Sequence, residues 1–232
     1  MEKLERIGIK EKLKNVSPYK IINASQFYEK FAENINEAAF YKMLERMTKS
    51  GELVRLAKGL YYKPKVTNYG VVPISDSEII NYYVKNRSGM VIGYLLFNSK
   101  GITTQISKRV EILSNHLAEN KKQVANISVT RVDLNFDESL VAMIEFLEIL
   151  QELNNIEDIN YVGFQKYVDS TVLQYSDDVI DKILKIRKYK KSTIYLLHTI
   201  LEYHKIENHL NKYLSALSQY KVMDIRRMYE SA

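Results

Sequence analysis

The first seventy residues carry two kinds of hydrophobic spacing. Phe40, Met43, Leu44 and Met47 fall at i, i+3, i+4 and i+7, the repeat of one apolar helix face. Asn36 is a candidate N-cap for that helix, Glu37 suits the positive end of its dipole, and Gly51 is placed to stop it. The spacing predicts a helix over Glu37–Ser50. Upstream, Leu4–Leu13 predicts a charged, weakly amphipathic helix, and Phe27, Tyr28 and Phe31 predict another, capped by Asn23 or Ser25. Downstream the period shortens. "LVRL" and "LYYK" predict two short strands around an Ala57-Lys58-Gly59 turn.

The segment "PKVTNYGVVP", Pro64 to Pro73, holds two of the three prolines in the chain. Proline disfavours helix at the preceding residue, so a seam is expected here. Beyond it the helical signal dominates. Ser75 or Asp76 caps a short helix through "SDSEIINYYVKN", and a second runs near Tyr94–Ser99 to a stop at Gly101. A β-rich stretch follows through Val110 and Ile112, and "NISVTRVDLNF" alternates as a strand would. Asp137 or Glu138 opens a helix that is apolar almost all round to Leu150, the pattern of a buried helix. Three amphipathic helices fit "DDVIDKILKIRKY", "TIYLLHTILEYH" and "IENHLNKYLSALSQY".

Helix, helix and hairpin within one short stretch is the order of a winged helix-turn-helix. The prediction is an α+β, mostly helical chain. A winged helix-turn-helix occupies residues 1–68, and a larger mixed α/β domain occupies 69–232 and ends in a helical bundle.

Charge sharpens this division. The net charge is +6. Residues 1–70 hold 14 Lys/Arg against 8 Asp/Glu, and the other 162 residues hold 20 of each. All the excess positive charge therefore lies in the first third, which suggests a polyanion-binding module joined to a neutral body. The predicted helix shows how it would act. With Phe40, Leu44 and Met47 inward, Tyr41, Lys42, Arg46 and Lys49 face outward, and the three cations share a face. Such a helix fits the major groove of double-stranded DNA, where Arg contacts guanine and Lys contacts phosphate. Arg55, Lys58 and Lys63 on the predicted hairpin would reach the flanking backbone or minor groove.

Other chemistry is sparse. The sequence has no cysteine, which excludes disulfides and thiolate metal sites and suits a reducing cytoplasm. No apolar segment follows the first charges, so no secretory signal is expected, and no apolar run approaches the roughly 20 residues of a membrane span. The longest, Leu140 to Leu150, is broken by Glu145 and Glu148. Motifs for phosphate loops, dinucleotides, zinc proteases and serine nucleophiles are absent, so no catalytic residue and no cofactor is expected. His204 and His209 are five apart and share no helix face, so no metal site is expected. A second basic cluster, Lys185, Arg187, Lys188, Lys190 and Lys191, has two readings: a face for an acidic partner or nucleic acid, or dipole-complementing residues at a helix end.

"SGELVRLAKGLYYKP" is similar to the wing of AbiEi-type antitoxins of bacterial type IV toxin–antitoxin and abortive-infection systems. "GMVIGYLLFNSKGITTQISKRVEILSN" resembles the segment that follows in that family, including the stretch Gly101, Ile102, Thr103, Thr104, Gln105. The likeness spans roughly residues 20–115, and the C-terminal half matches only in length and helical character. The resemblance implies a winged helix that binds inverted repeats in its own promoter. It also implies a C-terminal antitoxin domain that counters a nucleotidyltransferase-like toxin encoded beside it, with or without a stable complex. It places DNA binding on Lys42, Arg46, Lys49, Arg55 and Lys58 and implies no catalytic residue. An alternative from the residues themselves is a winged-helix module that binds a partner protein rather than DNA.

Overall fold

The computed structural model describes residues 2–215 and 217–230. The chain is mixed α and β, compatible with the α+β class, and divides into two compact units. Residues 1–82 with 123–125 form the first, and residues 83–122 with 126–232 form the second. No described helix is long and apolar enough to cross a membrane.

The first unit runs α1 (Glu2–Lys14), β1 (Ile21–Asn23), α2 (Ala24–Glu29), α3 (Glu37–Lys49), β2 (Val54–Ala57) and β3 (Leu60–Tyr62). Asn23 caps α2 through its side chain, which accepts from the Ser25 and Gln26 amides. Asn36 caps α3 by accepting from the Ala38 amide at 2.9 Å. Gly51 follows α3 with φ +76°, the left-handed turn that glycine adopts at no steric cost. Phe40, Leu44 and Met47 of α3 are buried with Ile9 and Leu13 of α1, Leu53, and Tyr61 of β3. Met43, expected on the same apolar face, is only half-buried. The sheet order is β1-β3-β2, all antiparallel, so the outer strands come from opposite sides of the α2–α3 pair in sequence. The sequence does not announce β1, because three residues are too few to show a period.

The proline-flanked segment is not a bare seam. Lys65–Thr67 (β4) and Gly70–Val72 (β5) pair as a two-stranded hairpin, with Gly70 at φ +110°. Its side chains face outward: Val66, Tyr69, Val71 and Val72 are all exposed.

α4 (Asp76–Val84) leads into the second unit, which contains β6 (Gly89–Ile92), α5 (Tyr94–Ser99), β7 (Val110–Ser114), β9 (Ile127–Arg131) and α6 (Glu138–Glu152), while β8 (Lys121–Val124) is divided between the two units. Then come α7 (Tyr161–Thr171), α8 (Asp177–Ile186), α9 (Lys191–Tyr203) and α10 (Ile225–Glu230). The sheet order is β6-β7-β9-β8, with β6–β7 antiparallel and β7–β9 parallel. α6 is capped by the Asp137 carboxylate on the Leu140 amide. It is buried through Met143, Ile144, Phe146, Leu147, Ile149 and Leu150, as an all-round apolar helix must be. α7, α8 and α9 contribute Phe164, Ile180, Leu197 and Ile200 to the same core.

The resembling stretch from Gly101 to Gln105 is a packing joint. Ile102 is fully buried, its carbonyl accepts from the Asn160 amide at 2.7 Å, and Asn160 Nδ2 donates to the Gly101 carbonyl. Gln105 Nε2 reaches the Glu157 carboxylate at 3.1 Å. These three hydrogen bonds fasten the turn after α5 to the segment that leads into α7.

The third C-terminal helix is a correction. Among the described residues of "IENHLNKYLSALSQY", the only helical element is one 3-10 turn, Leu210–Tyr213. Local polar groups divert the backbone. The His209 amide donates to Asp177 Oδ1, and the Leu210 amide to Asn208 Oδ1. Lys212 and Tyr213 both bind the Asp181 carboxylate, at 2.6 and 2.8 Å. Amphipathic spacing predicted a free helix, but anchoring to α8 satisfies these groups another way.

Candidate functional site

The basic face begins with the pitch of α3. Burying Phe40, Leu44 and Met47 turns Lys42, Arg46 and Lys49 to solvent, and all three are exposed. Tyr41 lies at the edge of this face, half-buried, with its ring against Phe40 and its hydroxyl 3.4 Å from Ser25 Oγ. Arg55 on β2 and Lys58 in the β2–β3 turn are also exposed. Gly59 makes that turn with φ +72°, and its carbonyl accepts from the Ala24 amide, so the turn is tied to the start of α2.

The structure separates the cations by what they already hold. Lys49 Nζ lies 2.7 Å from Glu45, one helical turn back, and holds that carboxyl below its usual range by hydrogen bond and charge. Lys63 is half-buried, and its ammonium donates to the Lys14 carbonyl at the end of α1. It caps the end of α1, so its ammonium is already engaged within the unit. Lys10 and Lys14 converge on Glu52 at 3.2 and 3.4 Å. Burial pushes the Glu52 carboxyl up, but Ser50 and the two lysines outweigh it and hold it low. On α3 and the β2–β3 hairpin, Lys42, Arg46, Arg55 and Lys58 are exposed and make no ion pair among the described residues, as is also true of Lys20, Lys30 and Lys65 elsewhere in the unit.

The second basic cluster does not hold together. α8 ends at Ile186, and Arg187 turns inward. Its Nε donates to Glu148 Oε1 at 2.6 Å, and the Tyr189 hydroxyl donates to the same oxygen at 2.6 Å. Glu148 is only 5% exposed, in the middle of α6. Burial, then the Glu148 charge, pushes the Tyr189 phenol well above its ordinary range, so it remains a donor. Arg187 is thus removed from any partner-binding face. Lys185, Lys188, Lys190 and Lys191 remain exposed, but Lys190 and Lys191 open α9 rather than close a helix, where the dipole does not favour cations. The sequence carried one signal of this arrangement: a carboxylate at 148 within the mostly apolar run of α6, which Glu145 also interrupts.

The histidines take part in local contacts. His198 pairs with Asn208, His204 with the Tyr229 hydroxyl and His209 with Asp177. Among the described residues no three His, Asp or Glu side chains converge enough to hold a metal ion.

Comparison with curated proteins finds no match. A model described as a family of unknown function (DUF6088) matches residues 8–156, more than half of the sequence, and the chain belongs to that family.

Proposed function

We propose that the first unit is a winged helix-turn-helix that binds double-stranded DNA, and that the chain represses its own promoter and serves as an antitoxin. One observation carries the DNA reading. The elements run α1–β1–α2–α3–β2–β3 with sheet order β1-β3-β2, and the exposed side of the second helix of the pair, α3, presents Lys42 and Arg46. A helix of this kind reads the major groove through its outward side chains, with Arg46 suited to the guanine edge and Lys42 to phosphate. Arg55 and Lys58 supply flanking backbone contacts from the hairpin. The antitoxin role, against a nucleotidyltransferase-like toxin encoded nearby, rests on the resemblance of residues 20–115 to AbiEi-type antitoxins.

A second reading, a winged helix that binds a protein, is favoured by the β4–β5 hairpin, whose exposed Val66, Tyr69 and Val71 are apolar rather than basic.

The test is a mobility-shift titration of the full-length chain on DNA upstream of its own coding sequence, at two salt concentrations. The DNA reading expects a sequence-preferring shift that weakens steeply with salt and disappears in Arg46→Glu/Lys58→Glu with the circular dichroism unchanged. Binding that ignores the substitution sinks it. Rescue of growth on co-expression with the neighbouring toxin tests the antitoxin role separately.

A further inference from the structure

Aromatic packing sets the rotation of α3 about its own axis. Phe40 is fully buried, with its ring centroid 6.1 Å from Phe27, 5.5 Å from Tyr28 and 5.6 Å from Tyr41. With Phe40, Leu44 and Met47 inward, the helical period puts Ala38, Lys42, Glu45 and Lys49 on one strip opposite the core, and all four are exposed. Two cations and a small methyl suit a DNA groove. Glu45 is the exception, an acid in the middle of the strip, one helical turn from Lys42 and from Lys49. Lys49 Nζ meets Glu45 Oε1 at 2.7 Å, with both side chains well exposed. The Lys49 hydrogen bond, then its charge, holds the Glu45 carboxyl below its usual range. Glu45 is therefore ionised at neutral pH and offers acceptors only.

We propose, resting on the DNA reading of the first unit, that Glu45 selects the sequence by accepting from a cytosine N4 amine, so that the DNA under α3 carries a cytosine opposite the middle of the helix. The major-groove edges of the bases decide which one an acceptor-only group takes. Guanine and thymine present acceptors there, which repel a carboxylate. Adenine presents an amine beside its N7 acceptor, whereas cytosine presents the N4 amine alone. A carboxylate is also repelled by every phosphate near it, and that cost is offset only where the amine is met. Lys49 lessens the cost by balancing the charge within the same helix. Glu45 thus lowers affinity for every site that lacks the cytosine, which is specificity by exclusion. Lys42 and Lys49, as phosphate-binding cations, attract any duplex and cannot make that distinction.

The test is selection from a randomised duplex library by the full-length chain, with sequencing of the retained DNA, for the parent, Glu45→Gln, Glu45→Ala and Glu33→Gln. Glu33 is an exposed acid of the same unit that precedes α3, so its loss changes the charge equally. The expected parent motif has one position fixed as cytosine. Glu45→Gln should move that position to adenine, because an amide pairs with adenine N6 and N7 together. Glu45→Ala should accept any base there, with discrimination at that position falling about tenfold. Glu33→Gln should keep the parent motif. Circular dichroism of each variant controls for folding. A parent motif with no fixed cytosine, a motif unchanged in both Glu45 variants, or the same change in Glu33→Gln would each overturn the assignment of Glu45 and leave DNA binding standing. Failure of the parent to retain any DNA would overturn both.

Discussion

Arg187 and Glu148 are 39 residues apart in sequence, yet Nε and Oε1 meet at 2.6 Å in the wall of the second unit, with side chains 22% and 7% exposed. α8 ends at Ile186, and the chain turns extended at Arg187, the residue that makes the pair. Burying both charges is costly, and removing one partner is costlier, because the other stays buried and uncompensated. Arg187→Ala is expected to lower stability by about 3 kcal/mol. Arg187→Met/Glu148→Leu should cost much less, since no stranded charge remains. Urea denaturation of the three proteins measures both.

Lys63 and Lys58 lie five residues apart and should behave oppositely. Lys63 caps the Lys14 carbonyl, whereas Lys58 stands exposed in a turn. Lys63→Ala is expected to lower the melting temperature and leave DNA affinity nearly unchanged. Lys58→Ala should do the reverse, and if Lys58 meets a phosphate it should reduce the magnitude of the salt slope by about 0.9. Melting curves and salt-dependent mobility shifts distinguish them.

Gly163 begins α7 against the turn after α5. A Cβ at that position would lie 2.3 Å from the Gly101 carbonyl and 2.7 Å from Asn160 Nδ2. Gly163→Ala gains about 1 kcal/mol of helix propensity. The clash is with backbone, which cannot swing aside, and overpacking costs about 1–3 kcal/mol. The substitution is expected to destabilise the second unit. Gly8→Ala, with open space around its Cβ, is the matched control. Chemical denaturation of both variants shows whether the sign differs between them.

Stability should fall in strong base. Tyr189, Tyr167 and Tyr175 are all held above the ordinary tyrosine range, first by burial and then by Glu148, Glu145 and Asp177 respectively. The unfolded chain releases phenolic protons near pH 10, while the folded chain retains them. The folded state then binds more protons, so the contribution is full below about pH 10 and is lost as pH rises beyond it. Urea midpoints should be level from neutral pH and drop past that point. Tyr189→Phe should flatten part of the drop.

Asp181 joins the segment after α9 to α8 by accepting from Lys212 and Tyr213. The Lys212 hydrogen bond, then Tyr213, holds its carboxyl below the usual range. Asp181→Asn is expected to loosen residues 205–214 and raise tryptic cleavage at Lys212, with the α6 core unaffected. Limited proteolysis read by mass spectrometry checks the site of cutting.

Local chemistry carried part of this structure openly. Asn36, the spacing of Phe40, Leu44 and Met47, and Gly51 set the limits and inward face of α3, because caps and a 3.6-residue period act within one helix. The same holds for Asp137 and the apolar run of α6. The outward position of Lys42 and Arg46 follows from that period alone.

What only tertiary structure decided involves partners distant in sequence. β1 has three residues and exists through its pairing with β3, and β7 and β9 run parallel through a register that joins Val110–Ser114 to Ile127–Arg131. A run of lysines and arginines looks uniform in sequence, yet Lys63 is spent on a carbonyl and Arg187 on a buried carboxylate. The amphipathic residues from 206 onward yield to the carboxylates of α8. By itself the sequence determined which residues are apolar, where helices are capped and where the charge is concentrated. The fold decided which charges are left facing solvent, because that depends on which distant groups come within a few ångströms, a distance that no local period encodes.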